Sequence, residues 1–247
     1  MPNRDRVIGV IPARLNSTRL PRKVLRTIGG RPMVQHVYDR ARCCSRLDDL
    51  VVATDSDEVA AVCRQYQIPV EMTSSDHASG TDRLFEVMTR HDADIFVNIQ
   101  GDEPLIDATH IDALLAPFGR EPQTQVSTLR IAITPEEAKN PNVVKVVCDV
   151  HGNAIYFSRW PIPFDRDGKE PVSYFKHMGL YAYRRGALEM FHSLSPSRLE
   201  LAERLEQLRF LENGVRIRVA ETRIATVGVD TEEDLRAVES LLMAKAA

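Results

Sequence analysis

Val7-Ile8-Gly9-Val10-Ile11-Pro12, followed by Ala13-Arg14, is an unbroken apolar run that a charged residue stops. With Arg4 and Arg6 before it, the run has the outline of a secretory signal, but it is too short for an h-region and reads as a buried strand. Working outward, Met33–Cys44 has a helical pattern, Leu50–Thr54 is a strand, Asp57–Tyr66 a helix and Pro69–Met72 a short strand. Thr81–Arg90 (helix), Asp94–Ile99 (strand) and Ala108–Phe118 (helix) continue the alternation. Strands alternating with helices of this length make βαβ units, hence a parallel sheet covered on both faces: a doubly wound α/β fold.

The second half changes rhythm. Val126–Ile133, Val143–Val150, Ala154–Phe157 and Tyr174–Tyr183 are β-like, and His151-Gly152-Asn153 separates two of them at hairpin spacing. Antiparallel strands are expected there, then helices at Gly186–Ser193 and Leu199–Glu212, a strand at Val215–Ala220 and a closing helix at Glu232–Ala244. No Gly/Ser/Pro linker separates the halves. The expectation is one domain over 1–247: a core at 6–125, a β-rich lobe at 126–220 packed on the same sheet, and a return to the core at 221–247.

A net charge of −3 over 247 residues conceals a segregation: residues 6–38 hold Arg6, Arg14, Arg19, Arg22, Lys23, Arg26 and Arg31 and no carboxylate. One basic segment on an otherwise acidic chain indicates a local anion site and argues against a nucleic acid polymer as partner. No run approaches the roughly 18 apolar residues of a membrane span. Cys43, Cys44, Cys63 and Cys148 show neither CxxC nor zinc-ligand spacing, which suits a reducing cytoplasm. Asn16-Ser17-Thr18 matches a glycosylation sequon, a match that counts only in a secreted protein.

Ligands of open α/β sheets bind beyond the carboxyl ends of the strands. The turn there, from Pro12 to Lys23, has neither GxGxxG nor a P-loop, which removes the dinucleotide-dependent oxidoreductase and P-loop readings. It offers Arg14, Arg19 and Lys23 with the hydroxyls of Ser17 and Thr18 between them. Guanidinium forks and a mobile ammonium suit a triphosphate, although composition alone would make this a solvated basic loop. His36, His91, His110, His151 and His192 form no HExxH or His/Cys cluster, and GxSxG is absent, so zinc-enzyme and hydrolase readings have no support.

Ile11-Pro12-Ala13-Arg14, Ser17-Thr18-Arg19-Leu20-Pro21-x-Lys23 and Gly30-Arg31-Pro32-Met33 resemble the signature of the cytidylyltransferases that activate acidic sugars. His77-x-Ser79-Gly80-Thr81-Asp82-Arg83, Asn98-x-Gln100-Gly101-Asp102-Glu103-Pro104, Tyr156-Phe157-Ser158-Arg159, His177-x-Gly179-x-Tyr181-x-Tyr183-Arg184, Leu205-Glu206-Gln207-Leu208-Arg209 and Gly228-Val229-Asp230-Thr231 follow in order. Together, over nearly the whole chain, they resemble the 3-deoxy-manno-octulosonate (Kdo) cytidylyltransferase family. Arg22 departs from the pattern, since the family often has Gly before the lysine.

The resemblance implies a Rossmann-like sheet of nucleotidyltransferase type. It implies transfer of CMP from CTP to the anomeric hydroxyl of a 3-deoxy-octulosonate sugar acid with release of pyrophosphate, for lipopolysaccharide biosynthesis. It also implies a homodimer and a Mg²⁺ cofactor held by Asp102 and Asp230. On composition alone Asp102 is a turn residue and Asp230 an N-cap. Arg14, Arg19 and Lys23 are the implied catalytic cations beside these two aspartates, and the nucleotide contacts are Pro12, Ala13, Arg14, Arg19, Lys23, Ser79, Gly80 and Gln100. The implied sugar contacts are Gln100, Arg159, His177, Tyr181, Glu206 and Gln207. Ordinary readings stand beside them: Ser79 as a helix cap, Arg159 stacked on Trp160, His177 as a satisfied core histidine and Glu206 as a solvated helix residue. A cytidylyltransferase for 8-amino-Kdo or a sialic acid, and a non-catalytic nucleotide-binding homologue, remain open alternatives.

Overall fold

The computed structural model describes residues 4–15, 17, 19–77, 79–168 and 172–246, without the side chains of 245 and 246. Asn16 and Thr18 of the basic turn lie outside the described residues. The chain forms two compact units, Met1–Asp112 with Thr226–Ala247, and Ala113–Ala225.

The first unit opens with β1 (Val7–Pro12), a 3₁₀ turn (Lys23–Leu25), the two-residue strands β2 (Thr27–Ile28) and β3 (Arg31–Pro32), and α1 (Met33–Ala41). It continues through β4 (Asp49–Thr54), α2 (Asp57–Gln65), β5 (Val70–Met72), α3 (Gly80–Met88) and β6 (Ile95–Asn98) into α4 (Ala108–Arg120). β1 pairs in parallel with β4 on one side and β6 on the other, and β5 adds in parallel to β4. Val7, Ile8, Val10 and Ile11 are all buried, because helices cover both faces of such a sheet and its strands need no polar alternation. The sequence does not reveal the 3₁₀ turn or the hairpin of β2 and β3, which are shorter than any periodicity can register.

The second unit contains β7 (Val126–Ile133), α5 (Pro135–Ala138), β8 (Lys145–Cys148), β9 (Ala154–Ser158), β10 (Tyr174–Arg184), α6 (Arg185–Ser193), α7 (Arg198–Glu203), α8 (Gln207–Glu212) and β11 (Ile217–Glu221). The chain then returns to the first unit, where it ends in α9 (Glu232–Ala246). β7 pairs antiparallel with β10, and β8 with β9. β11, for which the sequence indicates a strand but no pairing direction, runs parallel to β7; three helices intervene after β10, and such a crossover permits parallel pairing. The single helix expected over Leu199–Glu212 is two helices, because Arg204 adopts the left-handed conformation at φ 55° and ends α7.

All four cysteines are unbridged. Among the described residues no helix is long and apolar enough to cross a membrane.

Candidate active site

Parallel pairing of β1 with β6 brings two strand ends together, with Ile99 N donating to Val10 O at 2.9 Å. Pro12 and Gly101 thereby come so close that a Cβ on residue 101 would stand 2.7 Å from Pro12 O. Only glycine fits that approach. Pro12, Arg14, Gly80, Gln100, Gly101 and Asp102 line a cleft of about 180 Å³ that Val24 completes. Gly80 begins α3, whose cap is Ser79: its hydroxyl accepts from Asp82 N at 3.1 Å, and Asp82 returns the bond to Ser79 N. The ordinary reading of Ser79 is therefore realised, while Ala13, wholly buried, continues the β1–β4 ladder by donating to Ala53 O.

The acidic and basic residues converge through the core beneath them. Leu20, Ile28, Met33, Leu105, Val229, Leu235 and Val238 form one buried cluster. Leu20 anchors the turn bearing Arg19 and Lys23, Leu105 the segment after Asp102, and Val229 the segment before Asp230. Val229 N also donates to Asp102 O at 2.9 Å. On this base Lys23 Nζ donates to Asp102 Oδ2 at 2.6 Å and to Asp230 Oδ1 at 2.9 Å, and Arg19 pairs with Asp230 Oδ2 at 2.9 Å. The Lys23 side chain is only 13% exposed. Burial, the largest influence, pulls its pKa down, but Asp102 and Asp230 together outweigh burial and hold it above the ordinary lysine value. Asp230 is not the cap of α9: Thr231 Oγ1 accepts from Asp234 N, and the Asp234 carboxylate accepts from the amides of Asp230 and Thr231. Capping by Thr231 leaves the Asp230 carboxylate to face the cations.

The described residues contain no group of three or more His, Cys, Asp or Glu side chains suited to a metal. Two carboxylates on separate segments are nevertheless a chemically sound half-set for Mg²⁺, which binds one or two carboxylates and takes its other ligands from phosphate and water.

In the second unit, His177 and Tyr181 lie on β10 with ring centroids 5.3 Å apart. Gly179 and Leu180 bulge out between them, so their β7 partners Arg130 and Thr128 are two apart and both side chains keep one face. Thr128 Oγ1 lies 3.0 Å from His177 Nε2, and its single proton is within reach of the carbonyls of Leu180 at 2.8 Å and Met178 at 3.1 Å. Burial, with Lys176 adding to it, pulls the His177 pKa down to about 3, and the ring is neutral. Burial pushes the Tyr181 hydroxyl well up, Tyr183 and Glu206 adding to it and Thr128 opposing. That hydroxyl makes no well-formed hydrogen bond, nor does Gln207 Nε2, and both atoms are buried. Glu206 is the N-cap of α8 and Gln207 its first residue, positions that the helix break creates.

Arg159 does not stack on Trp160. Its Nε donates to Glu203 O at 2.7 Å and its Nη1 to Pro141 O at 3.2 Å, while its amide donates to Glu203 Oε2 at 2.9 Å. Sequence reasoning missed Gly101 and Val24 at the cleft and Glu203 at Arg159; only Gly101, directly after a predicted strand end and before the aspartate, carried a signal. A cavity of about 690 Å³ bordered by Glu121, Gln125, His151, Met190, Arg216 and Arg218 contains none of the predicted residues.

Cations and paired aspartates stand beside a cleft at the carboxyl ends of parallel strands, and the chain belongs to a transferase class, the cytidylyltransferase family, whose model matches residues 8–217. Within that family it is 57% identical to the 3-deoxy-manno-octulosonate cytidylyltransferase of Acidobacterium capsulatum, over 96% of both chains. It is 51% identical to the enzyme of the same name from Koribacter versatilis, over 97% of this chain and 91% of the relative. Among solved structures, a CMP:2-keto-3-deoxy-manno-octonic acid synthetase complexed with CTP matches with a TM-score of 0.94 and 44% identity, over 97% of this chain and 99% of the other. A cytidylyltransferase from Leptospira borgpetersenii shares the fold at a TM-score of 0.65 and 17% identity, over 97% and 87% of the two chains.

Proposed function

We propose that the chain transfers CMP from CTP to the anomeric hydroxyl of 3-deoxy-D-manno-octulosonate; the names of its relatives give the same sugar acid and cytidylyl transfer. The observation that carries this reading is the convergence of Lys23, Arg19, Asp102 and Asp230 beside the cleft lined by Arg14, Gly80 and Gln100. A bond forms between the sugar oxygen and the α-phosphorus as the bond to the β-phosphate oxygen breaks, and pyrophosphate departs. The obstacle is negative charge crowded on the phosphate oxygens, so positioning and neutralisation dominate the catalysis. Arg14 and Arg19 grip phosphate oxygens, and Lys23 holds the charge that develops on the leaving pyrophosphate.

Asp102 and Asp230 are the residues that would hold Mg²⁺, with Lys23 released from them towards the triphosphate. The ion, when bound, supplies neutralisation at the phosphates and acidifies the attacking hydroxyl. We assign the nucleotide to the first unit and the sugar acid to Arg159, His177, Tyr181, Glu206 and Gln207 of the second. The unsatisfied Tyr181 hydroxyl and Gln207 amide support that assignment, since each such buried group costs about 1–3 kcal/mol until a ligand pairs with it. A neutral His177 accepts or donates a hydrogen bond to a sugar hydroxyl and places no cation there. We further propose a homodimer through the apolar surface of residues 150–164, and a cytoplasmic setting in keeping with four unbridged cysteines.

Incubation with Mg²⁺, CTP and each candidate acid, followed by pyrophosphate assay, tests the reading. Kdo supports turnover, and Asp102→Asn lowers kcat by about a thousandfold with an unchanged melting curve. Pyrophosphate release with a sialic acid or 8-amino-Kdo but not with Kdo overturns the substrate assignment. Wild-type rates in Asp102→Asn at saturating Mg²⁺ overturn the aspartate's role.

A further inference from the structure

Lys145 is wholly buried on β8, and no carboxylate hydrogen-bonds to it. All three of its N–H donors go to main-chain carbonyls: Val143 O at 2.6 Å, Asn140 O at 3.1 Å and Arg159 O at 2.5 Å. Burying an ammonium is costly, and three carbonyls are the least that makes it tolerable. A sheet that needed only packing would place an apolar side chain here at less expense.

The arrangement around Arg159 shows what the charge does. Glu203, at the end of α7, accepts from Arg159 N at 2.9 Å and from Ser158 Oγ at 2.7 Å. One residue's carbonyl is thus held by a buried cation and its amide by an anion from a different element. Lys145 also ties down Asn140 and Val143, which flank Pro141, whose carbonyl takes Arg159 Nη1. Glu203 O takes Arg159 Nε. The carbonyls that orient the guanidinium, those of Pro141, Glu203 and, at 3.5 Å, Arg204, therefore belong to the segments that the same two charges hold. A side chain that stays rigid on binding retains affinity otherwise spent on ordering it.

We propose that Lys145 and Glu203 are positioning residues for Arg159: they grip the main chain on either side of its Cα and hold its guanidinium in place for the carboxylate of the sugar acid. The proposal rests on the assignment of Arg159 to that carboxylate. Neither residue touches substrate, and both act on one substrate only.

Steady-state kinetics with both substrates varied, on Lys145→Met, Glu203→Ala, Glu203→Gln and Arg159→Ala, with melting curves for each, tests it. The expected result is a KM for the sugar acid raised about tenfold in Lys145→Met and Glu203→Ala, with KM for CTP unchanged and kcat within about threefold. Glu203→Gln, which keeps an oxygen for the Arg159 amide, recovers most of the loss. Adding Lys145→Met to Arg159→Ala brings little further change, since residues acting as a unit are not additive. If Lys145→Met does not fold, the Ala and Gln variants of Glu203 decide the matter. Both KM values rising together, or kcat falling alone, marks a general structural role and overturns the proposal. Arg159→Ala raising the sugar-acid KM while the Lys145 and Glu203 variants do not also overturns it and leaves the Arg159 assignment intact. An unchanged KM in Arg159→Ala overturns that assignment and the proposal with it.

Discussion

A side chain in the left-handed region costs roughly 1–2 kcal/mol, and Arg22 sits there at φ 58°, immediately before Lys23. The conformation starts the 3₁₀ turn that delivers the Lys23 ammonium to Asp102 and Asp230. Glycine would adopt this conformation without that cost, and the Arg22–Glu58 ion pair offsets part of it here. Replacing Arg22 by Gly relieves the strain but loses the pair and frees the unfolded chain, so urea denaturation should find stability within about 1 kcal/mol of wild type and turnover retained. Arg22→Val cannot relax in the same way and should lose about 1–2 kcal/mol together with activity. A valine variant as stable and active as the parent would show that the turn does not depend on this backbone geometry. At this scale the sequence was an uneven guide. Asp230 could be read as a cap or as a cation partner, and only the bond from Asp234 N to Thr231 Oγ1 separates the two. Arg159 could be placed near a carboxylate, but not among the carbonyls that fix it, because those come from residues 141 and 203.

Among the elements, the first strand was legible to its ends, as Val7–Pro12, since a buried parallel strand is written as an apolar run with charged limits. Helix bounds were read to within a few residues for the same local reason. The break between α7 and α8 was not legible, because Arg204 takes a glycine-like conformation without being glycine. Nor was the parallel direction of β11, since pairing direction depends on the path of the intervening chain. The junction of β1 with β6 gives a prediction of its own. In Gly101→Ala the new methyl meets Pro12 O, a backbone atom that cannot swing aside. The strand ends must separate, at about 1–3 kcal/mol, and the shift passes directly to Asp102, so kcat should fall at least about tenfold. Gly119→Ala is the control: it lies in α4 with nothing within 4 Å of the added methyl and should gain up to about 1 kcal/mol. Equal kinetics for Gly101→Ala and the parent would remove the close approach from the account of the site.

Across the whole molecule, apolar surface is unevenly shared. Val150, Ile155, Trp160 and Phe164 stand exposed within one short stretch of the second unit, Trp160 at 75% and Phe164 at 82%. Rings of this size on the surface of a chain that is 27% charged are expensive to leave in water, about 2–3 kcal/mol each, and a second copy is the partner that needs no other molecule. Light scattering at micromolar concentration should give the mass of a dimer, and Trp160→Glu combined with Phe164→Glu the mass of a monomer. A monomeric parent would count against the interface. The sequence announced these residues as apolar, yet only the fold shows that they stand exposed among the described residues.

The bond from Val229 N to Asp102 O, and the reach of Lys23 to Asp230 across 207 positions, bear on how the protein is made. While the ribosome is still adding the second unit, Lys23 and Asp102 have already emerged and Asp230 has not. A nascent chain cut short before residue 230 carries a basic turn with half its counter-charge and lacks Val229 and Leu235 from the core below it. The turn therefore takes its ordered, charge-balanced form only after residues 229 to 235 have been added, well after the strands that carry it.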